Sequence, residues 1–177
     1  MRIVGGTYRS RTLLTFSGND VRPTPDKVRE ALFNILRDKV YGCKFLDLFC
    51  GTGAMGIEAL SRGAKFVLFN DKAKESVDLA KKNLQNLKIE NGFKVERSDA
   101  LLLLENPPEK FDIIYIDPPY ASDLGVKALG VVKKALADGG VVVFEDEKPF
   151  VGKVEGLTVV DERKYGRVRL TLFKKGE

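Results

Sequence analysis

Short apolar runs alternate with amphipathic stretches through most of this 177-residue chain. The runs at 44–49 and 111–116 are rich in aromatic and branched residues, and they predict buried β-strands. The stretches at 53–62 and 73–88 carry apolar residues at helical spacing, which predicts two helices. This alternation is typical of an α/β domain whose parallel sheet is covered by helices on both faces.

The rest of the pattern completes such a sheet. Further strands are predicted at 66–70, 93–96, 141–145, 157–161 and 167–173, and further helices at 100–105 and 122–137. The polar stretch at 146–153 is too short for a crossover helix. Only a turn at Tyr165 and Gly166 separates the last two strands, so these must be antiparallel.

The chain begins with a different pattern. Residues 1–16 hold two short apolar stretches on either side of a glycine pair, which predicts a β-hairpin. Arg9 and Arg11 alternate along its second predicted strand, so they would share one face. A helix is predicted to follow, with Thr24 as its N-cap and Pro25 as its first residue.

Basic residues are concentrated in the same segment. The formal net charge is +5 and the sequence pI is near 9.1. Residues 1–43 hold eight Lys or Arg against four acids, and the remainder holds 22 against 21. We therefore predict a basic hairpin plus helix over 1–43, facing a polyanion and appended to a core domain over 44–177. A solvated basic face explains the charge count equally well.

The sequence contains no histidine, which excludes Ser-His and Cys-His triads and His-based metal sites. Cys43 and Cys50 form no CxxC pair, and we interpret both as small buried hydrophobes. No apolar run approaches the ~20 residues that span a membrane, and the N-terminus lacks an apolar signal region. We therefore expect a cytoplasmic protein that binds neither a membrane nor a metal.

Glycines follow the first core strand at Gly51, Gly53 and Gly56, with Asp71 about 20 residues after them. Strand, glycine turn, helix and later acid match the dinucleotide fingerprint, although this match alone is weak. The additional acid Asp47 lies beside the turn, where it would repel a pyrophosphate. It would attract the sulfonium and ammonium groups of S-adenosylmethionine (SAM), so the sequence favours SAM over a dinucleotide.

Two more acids follow strands at the same edge of the predicted sheet, where ligands of such folds bind. Asp71 closes the second core strand, and Asp99 follows the third. Asp99 is placed either to accept a hydrogen bond from an adenine amino group or to cap the helix at 100–105. The sequence does not separate these two roles.

The fourth core strand runs directly into Asp117-Pro118-Pro119-Tyr120. Two prolines make a rigid, extended turn and remove two donors, which leaves carbonyl oxygens free. A carboxylate and two or more carbonyls beside an aromatic ring can hold a planar amine, with the ring stacked on its base. We interpret this turn as the site that holds the substrate amine.

Six motifs together carry a family resemblance that runs nearly end to end. They are Arg2-Ile-Val-Gly-Gly6, Arg22-Pro-Thr-Pro-Asp26, Arg29-Glu30-Ala-Leu-Phe33, Asp47-Leu-Phe-Cys-Gly-Thr-Gly53, Glu58-Ala-Leu-Ser-Arg-Gly-Ala64 and Tyr165-Gly166. With the Asp-Pro-Pro-Tyr turn, they resemble the RsmD family of bacterial 16S ribosomal RNA guanine-N2 methyltransferases.

This resemblance implies a Rossmann-like class I SAM-dependent methyltransferase with a seven-stranded sheet of order 3-2-1-4-5-7-6, its last strand antiparallel. It implies methylation of a guanine N2 amine in 16S rRNA, within a partly assembled 30S subunit, and we expect a monomer. It carries SAM contacts onto Asp47, Gly51, Gly53, Asp71 and Asp99, and catalytic contacts to the target base onto Asp117, Pro118 and Tyr120. The chain departs from the family at Ala73, where an acid is expected.

The basic N-terminal segment is the expected RNA-binding part. We predict that its arginines contact RNA phosphates: Arg9, Arg11, Arg22 and Arg29. Two other functions compete with this one. A DNA adenine-N6 methyltransferase shares the Asp-Pro-Pro-Tyr motif, and a non-catalytic module could bind SAM or RNA without transferring a methyl group.

Overall fold

The computed structural model describes residues 1–18 and 23–176. The strands of this part of the chain are β1 (Lys44–Asp47), β2 (Phe66–Asp71), β3 (Phe93–Arg97), β4 (Phe111–Ile116), β5 (Leu136–Asp146), β6 (Leu157–Tyr165) and β7 (Val168–Lys175). Its α-helices are α1 (Asp26–Leu36), α2 (Ala54–Ser61), α3 (Lys74–Asn86), α4 (Ala100–Glu105) and α5 (Leu124–Val131).

The seven strands form one sheet in the order β3-β2-β1-β4-β5-β7-β6, which confirms the predicted order. The first five are mutually parallel, and β7 pairs antiparallel with both β5 and β6. The carboxyl ends of the parallel strands therefore meet at one edge of the sheet.

Two apolar cores lie on opposite faces of the sheet, because successive side chains of a strand point in opposite directions. Phe45 of β1 packs in the core under α1, α2 and α3, and its neighbour Leu46 packs in the core under α4 and α5. Ile3 and Leu13 belong to the first core. The N-terminal segment thus shares a core with the sheet. Cys43 and Cys50 are both free and buried, as predicted.

The predicted N-terminal hairpin is wrong in its detail. The two chain segments meet in a single antiparallel bridge between Arg2 and Thr12. Arg9 lies in a turn and not on a strand, so the face that it was predicted to share with Arg11 does not form.

The reason lies in α2, which takes the backbone donors that a regular hairpin would use. The amides of Val4 and Gly5 donate to the buried carboxylate of Glu58 at 3.0 and 2.8 Å. The amide of Thr7 donates to the Ser61 carbonyl at 2.8 Å. The segment is therefore bound along α2. It pairs with itself only around the Arg2–Thr12 bridge, where the amides of Ile3, Ser10 and Leu13 donate to the carbonyls of Arg11, Ile3 and Met1.

The fifth helix is shorter than predicted. The stretch at 122–137 forms α5 only from Leu124 to Val131 and continues as a short 3₁₀ turn. Strand β5 begins at Leu136, five residues before its predicted start, and its pairing with β4 shifts register after Phe111. Gly139, at a φ of +73°, accommodates this irregularity without side-chain strain.

In the part of the chain that the structure describes, no helix is long and apolar enough to cross a membrane.

We predict that Gly56→Ala destabilises the fold. A Cβ at this position of α2 would lie 2.2 Å from Cε1 of Phe69, a fully buried ring on β2, so helix and strand would have to separate. Overpacking of this kind typically costs about 1–3 kcal/mol. Urea unfolding monitored by circular dichroism measures the change.

The matched control is Gly130→Ala in α5, where a Cβ would meet no atom within 4 Å. Because alanine favours a helix over glycine, we expect this variant to be as stable as the parent or up to about 1 kcal/mol more stable. Equal losses in both variants would show that close packing of α2 on β2 does not depend on Gly56.

Candidate active site

Acidic side chains converge at the carboxyl edge of the sheet. Asp47 ends β1, Asp71 ends β2, and Asp117 follows the last residue of β4. Glu145 lies next to the end of β5, beside β4 in the register. The parallel register brings these carboxylates together at one edge of the sheet, and we call the space that they line the cleft.

The glycine turn lies between β1 and α2 and is connected to the end of β2. Gly51 and Gly53 have φ values of +52° and +82°, which other residues rarely adopt. The Gly51 amide donates to Oδ2 of Asp71 at 3.0 Å. This hydrogen bond holds the turn against the acid that follows it in sequence by 20 residues.

Asp47 is buried beneath the turn, and only one of its two carboxylate oxygens has a hydrogen-bond partner among the described residues. Its Oδ2 accepts the Gly56 amide at 2.9 Å, whereas Oδ1 has no partner among the described residues. Burial raises the pKa of this carboxyl from 3.8 to about 7; the Gly56 amide opposes the rise, and the charge of Asp71 adds to it. A buried acceptor without a donor is uncommon in proteins, and it suits a cationic ligand such as the ammonium group of SAM.

Asp71 presents both oxygens toward backbone donors. Besides the Gly51 amide, it accepts the Ala73 amide on Oδ1 at 2.9 Å. Each carboxylate oxygen keeps a further lone pair, and the side chain is only partly buried. The carboxylate therefore retains the capacity to bind a hydroxyl group.

Asp99 caps α4, which was one of its two predicted roles. Its Oδ1 accepts the amides of Leu101 and Leu102 at 3.0 and 3.2 Å, and these bonds lower the pKa of the carboxyl. Its Oδ2 lies 3.4 Å from the Nζ of Lys72, an exposed side chain. The adenine contact remains a prediction, and it depends on this second oxygen.

The Asp117–Tyr120 turn lies at the same edge. The side chain of Tyr120 is 82% exposed, so its ring is accessible to a planar partner. The Pro119 carbonyl accepts hydrogen bonds from the amide and hydroxyl of Ser122, at 3.3 and 2.8 Å. The Pro118 carbonyl accepts none within residues 1–18 and 23–176. The turn thus offers a free Pro118 carbonyl, and the binding of an amine by two or more carbonyls stays a prediction.

A buried carboxylate that the sequence analysis did not single out lies beside this turn. Glu145 accepts the hydroxyl groups of Tyr115, through Oε2, and of Thr24, through Oε1 at 3.0 Å. Thr24 was predicted to cap α1, but the helix begins at Asp26 without a side-chain cap. An available signal for Glu145 was an acid near the carboxyl end of a buried apolar strand, the same signal that indicated Asp47 and Asp117.

The cleft concentrates negative charge. Burial raises the pKa of Asp117 well above its ordinary value, and the charges of Glu145, Asp47 and Asp146 add to the effect. Burial also raises the pKa of Glu145, although hydrogen bonds from Tyr115 and Thr24 oppose it. A ligand that brings positive charge into this cleft would stabilise the ionised carboxylates.

The predicted RNA-binding arginines do not share one environment. Arg9 and Arg11 are exposed, and Arg22 lies outside the described residues. Arg29 is fully buried, so its prediction as a phosphate contact is wrong. Its guanidinium donates to Oδ1 of Asp26 at 2.6 Å and to two backbone carbonyls. The sequence did indicate this burial, because Arg29 lies three, four and seven residues before buried apolar residues of α1 and therefore shares their helix face.

Comparison with known proteins agrees with this architecture. The family described as "Conserved hypothetical protein 95" matches residues 1–174. Ribosomal RNA small subunit methyltransferase D of Haemophilus influenzae is 34% identical over 181 residues, covering 98% of this chain and 93% of the relative. The chain belongs to the RsmD family.

Solved structures support the same relationship. This RsmD-family chain superimposes on yhhF from Escherichia coli with a TM-score of 0.86 and 30% identity, covering 99% of this chain and 97% of that one. A ribosomal protein L11 methylase from Lactobacillus delbrueckii shares the fold, with a TM-score of 0.67 and 20% identity over 83% of this chain and 77% of that one. The fold is therefore that of the class I methyltransferases, as predicted.

We expect Asp47 to make the stability of this RsmD-family protein dependent on pH. The folded chain holds the carboxyl proton up to about pH 7, whereas the unfolded chain releases it near pH 3.8. The folded state therefore binds more protons between these values, and this group's contribution to stability falls as the pH rises through them. The variant Asp47→Asn should lack this pH-dependent decrease in the free energy of unfolding, which amounts to at most about 4 kcal/mol.

Urea unfolding of the ligand-free proteins at several pH values between about 4 and 8 measures this difference. The control is Asp38→Asn, which changes an exposed acid in the turn after α1. A difference between the parent and Asp47→Asn that stays constant with pH would contradict the assignment of a titrating Asp47.

Proposed function

We propose that this chain transfers a methyl group from SAM to the exocyclic N2 amine of a guanine in 16S rRNA. The observation that carries the proposal is the Asp117–Tyr120 turn, with its exposed ring, at the same sheet edge as the acid-lined glycine turn. Family membership and the name of the Haemophilus influenzae relative support rRNA as the substrate class.

The residues of the glycine turn fit SAM. Asp47 offers its unpaired Oδ1 to the ammonium group, and the backbone of Gly51 and Gly53 allows close approach. Asp71 would bind the ribose hydroxyls, and Asp99 the adenine amino group through Oδ2. When bound, SAM supplies the electrophilic methyl group.

The Asp117–Tyr120 turn would orient the target amine. The lone pair of guanine N2 is delocalised into the ring, so this nitrogen is a poor nucleophile. The Asp117 carboxylate and the Pro118 carbonyl can accept its two hydrogens and direct the lone pair toward the glycine turn. Orientation of this kind can lower a barrier by roughly 7–11 kcal/mol.

Transfer would form a carbon–nitrogen bond as the sulfur–methyl bond of SAM breaks, leaving a neutral thioether and a surplus proton on the nitrogen. Asp117 is the group placed to accept this proton, directly or through water, and because burial raises its pKa, its carboxylate is a stronger base than an ordinary aspartate. Tyr120 would stack on the guanine ring. A base within a helix cannot reach this turn, so the target must be unpaired or flipped out of its stack.

We further propose that the natural substrate is 16S rRNA within a partly assembled 30S subunit, and that the chain acts as a monomer in the cytoplasm. A radiolabelled methyl-transfer assay on 30S particles, with the modified nucleotide identified by mass spectrometry, tests the proposal. We expect N2-methylguanine in 16S rRNA. Labelling of adenine N6 in duplex DNA instead, or of neither substrate, would overturn it.

We predict that Asp117→Ala abolishes transfer but leaves SAM binding nearly intact. The residue is assigned to the substrate amine and the proton, so its loss should lower the rate by at least ~100-fold, the usual minimum for a general base. Isothermal titration with SAM and the methyl-transfer assay measure the two effects separately. Asp123→Ala, which removes an exposed acid of the same loop, is the control. Lost SAM affinity with normal turnover would refute the role.

We also predict that replacing Arg9 and Arg11 together by alanine weakens RNA binding and flattens its dependence on salt. Each lost phosphate contact should reduce the slope of log affinity against log salt by about 0.7 for a single strand. Binding of a 16S rRNA fragment at several salt concentrations measures the slope. An unchanged slope would remove these arginines from the RNA-binding surface.

A further inference from the structure

The largest concentration of positive charge lies at the other end of the chain from the segment that the sequence analysis favoured. Residues 163–176 contain six Lys or Arg and no acid. They carry a charge of +6, and the rest of the chain sums to −1. The net charge of residues 44–177 is only +1, because acids elsewhere in that range cancel the positive charge of 163–176.

The fold places the turn of this segment at the carboxyl edge of the sheet. Strand β7 is antiparallel to β5, and Arg169 lies opposite Asp146 at the end of β5. The turn between β6 and β7, at 165–168, therefore extends beyond the end of β5 by up to three residues, or roughly 10 Å at ~3.3 Å each. Glu145 lies on the adjacent strand, and Asp117 follows the strand next to that one.

The turn is held in place by its apolar residues. Tyr165 pairs with Val168 across it, and both side chains pack against the core that lies under α1 and α2. Lys164 and Arg167 lie next to these two residues in sequence, so they are attached to a part of the chain that is packed against the core.

Among the described residues, three of these cations have no acidic partner, and two of the three lie at the turn; the third, Lys174, lies at the opposite end of β7. Arg163 pairs with Asp161 at 3.0 Å, and Arg169 pairs with Glu162 at 3.4 Å. Lys164 and Arg167 are exposed, and neither forms an ion pair with any residue that the structure describes. Basic residues along β6 also protect a sheet edge from pairing with another chain, but Arg167 lies in the turn and not on the edge strand.

The N-terminal arginine turn is farther from the cleft. The backbone around Arg9 is bound to Ser61 at the C-terminal end of α2, whereas the glycine turn precedes the N-terminal end of this helix. Eight residues separate the two ends along the axis, or about 12 Å. The β6–β7 turn, in contrast, lies directly at the carboxyl edge of the sheet.

Resting on the proposed function, we propose that Lys164 and Arg167 bind phosphates of the rRNA beside the target guanine. We call these two residues the hairpin-tip cations. Two strand spacings separate β7 from β4, roughly 10 Å, so phosphates near the extruded nucleotide reach the tip while its base occupies the Asp117–Tyr120 turn.

The test is the double variant Lys164→Ala/Arg167→Ala. We expect the salt slope for binding of a 16S rRNA fragment to fall by about 1.4, the value for two single-strand phosphate contacts. We also expect KM for 30S particles to rise several-fold, with kcat at saturation and SAM affinity unchanged. Lys164→Arg/Arg167→Lys, which keeps both charges, should retain the parent slope.

The matched control is Lys39→Ala/Lys65→Ala. It removes the same charge from exposed positions that precede the amino ends of β1 and β2, at the opposite edge of the sheet. If the tip variant and this control change the slope equally, the tip is only part of a diffuse basic surface and the inference is wrong. An unchanged slope in the tip variant is equally decisive against it.

The outcome separates this inference from the proposed function. If the parent protein forms N2-methylguanine in 30S particles and the tip variant matches the control, only the hairpin-tip assignment fails. If the salt slope for RNA binding falls in the tip variant but the parent methylates another nucleotide, the hairpin-tip assignment is retained and the guanine assignment fails. A parent protein with no salt-dependent RNA binding would overturn both.

Discussion

The site depends on carboxylates that the fold removes from water without supplying a countercharge. Taking an ionised carboxylate out of water is costly unless a cation or several donors compensate it. Asp47 keeps one oxygen unpaired beneath the glycine turn, and Asp117 lies among the charges of Glu145, Asp47 and Asp146. The cleft is therefore poorly compensated in the absence of ligand and complementary to a cation.

This condition argues against a dinucleotide at the glycine turn despite its spacing. A pyrophosphate would add two negative charges beside Asp47, whose carboxyl already resists ionisation. A sulfonium compound with an ammonium group brings positive charge to the same place. In the proposed function, the acid at the end of β1 would thus determine the class of ligand, and the glycines would determine only how closely it approaches.

Much of the N-terminal sequence that resembles the RsmD family serves to attach this segment to the core. Glu58 and Ser61 of α2 accept its amides, and Asn83 of α3 exchanges two hydrogen bonds with the backbone of Leu14. Farther along the same segment, the Thr24 hydroxyl donates to Glu145 in the cleft. The attachment thus extends from the far end of α2 to the candidate active site.

Apolar runs and the family resemblance were sufficient to predict the sheet, because buried parallel strands are nearly continuous hydrophobic sequences. The hairpin failed because its backbone donors bind Glu58, a contact across more than fifty residues that local pattern does not reveal. Arg29 failed because a charged residue was assumed to be exposed, although its spacing placed it on the buried face of α1. Glu145 was missed because it was interpreted only as the last residue of a predicted strand, although Asp47 has the same position at the end of β1.

Near the candidate active site, acids and unpaired cations occupy different places, and this arrangement matches the two parts of an RNA substrate. Acids occupy the cleft, whereas Arg9, Arg11, Lys164 and Arg167 are exposed. A phosphate backbone would be repelled from the cleft and attracted to these cations, but a guanine base is neutral and can enter. In the proposed function, the negative cleft would therefore select against the backbone while it attracts the cationic methyl donor. A base extruded from its strand, with its phosphates held outside the cleft, satisfies both requirements.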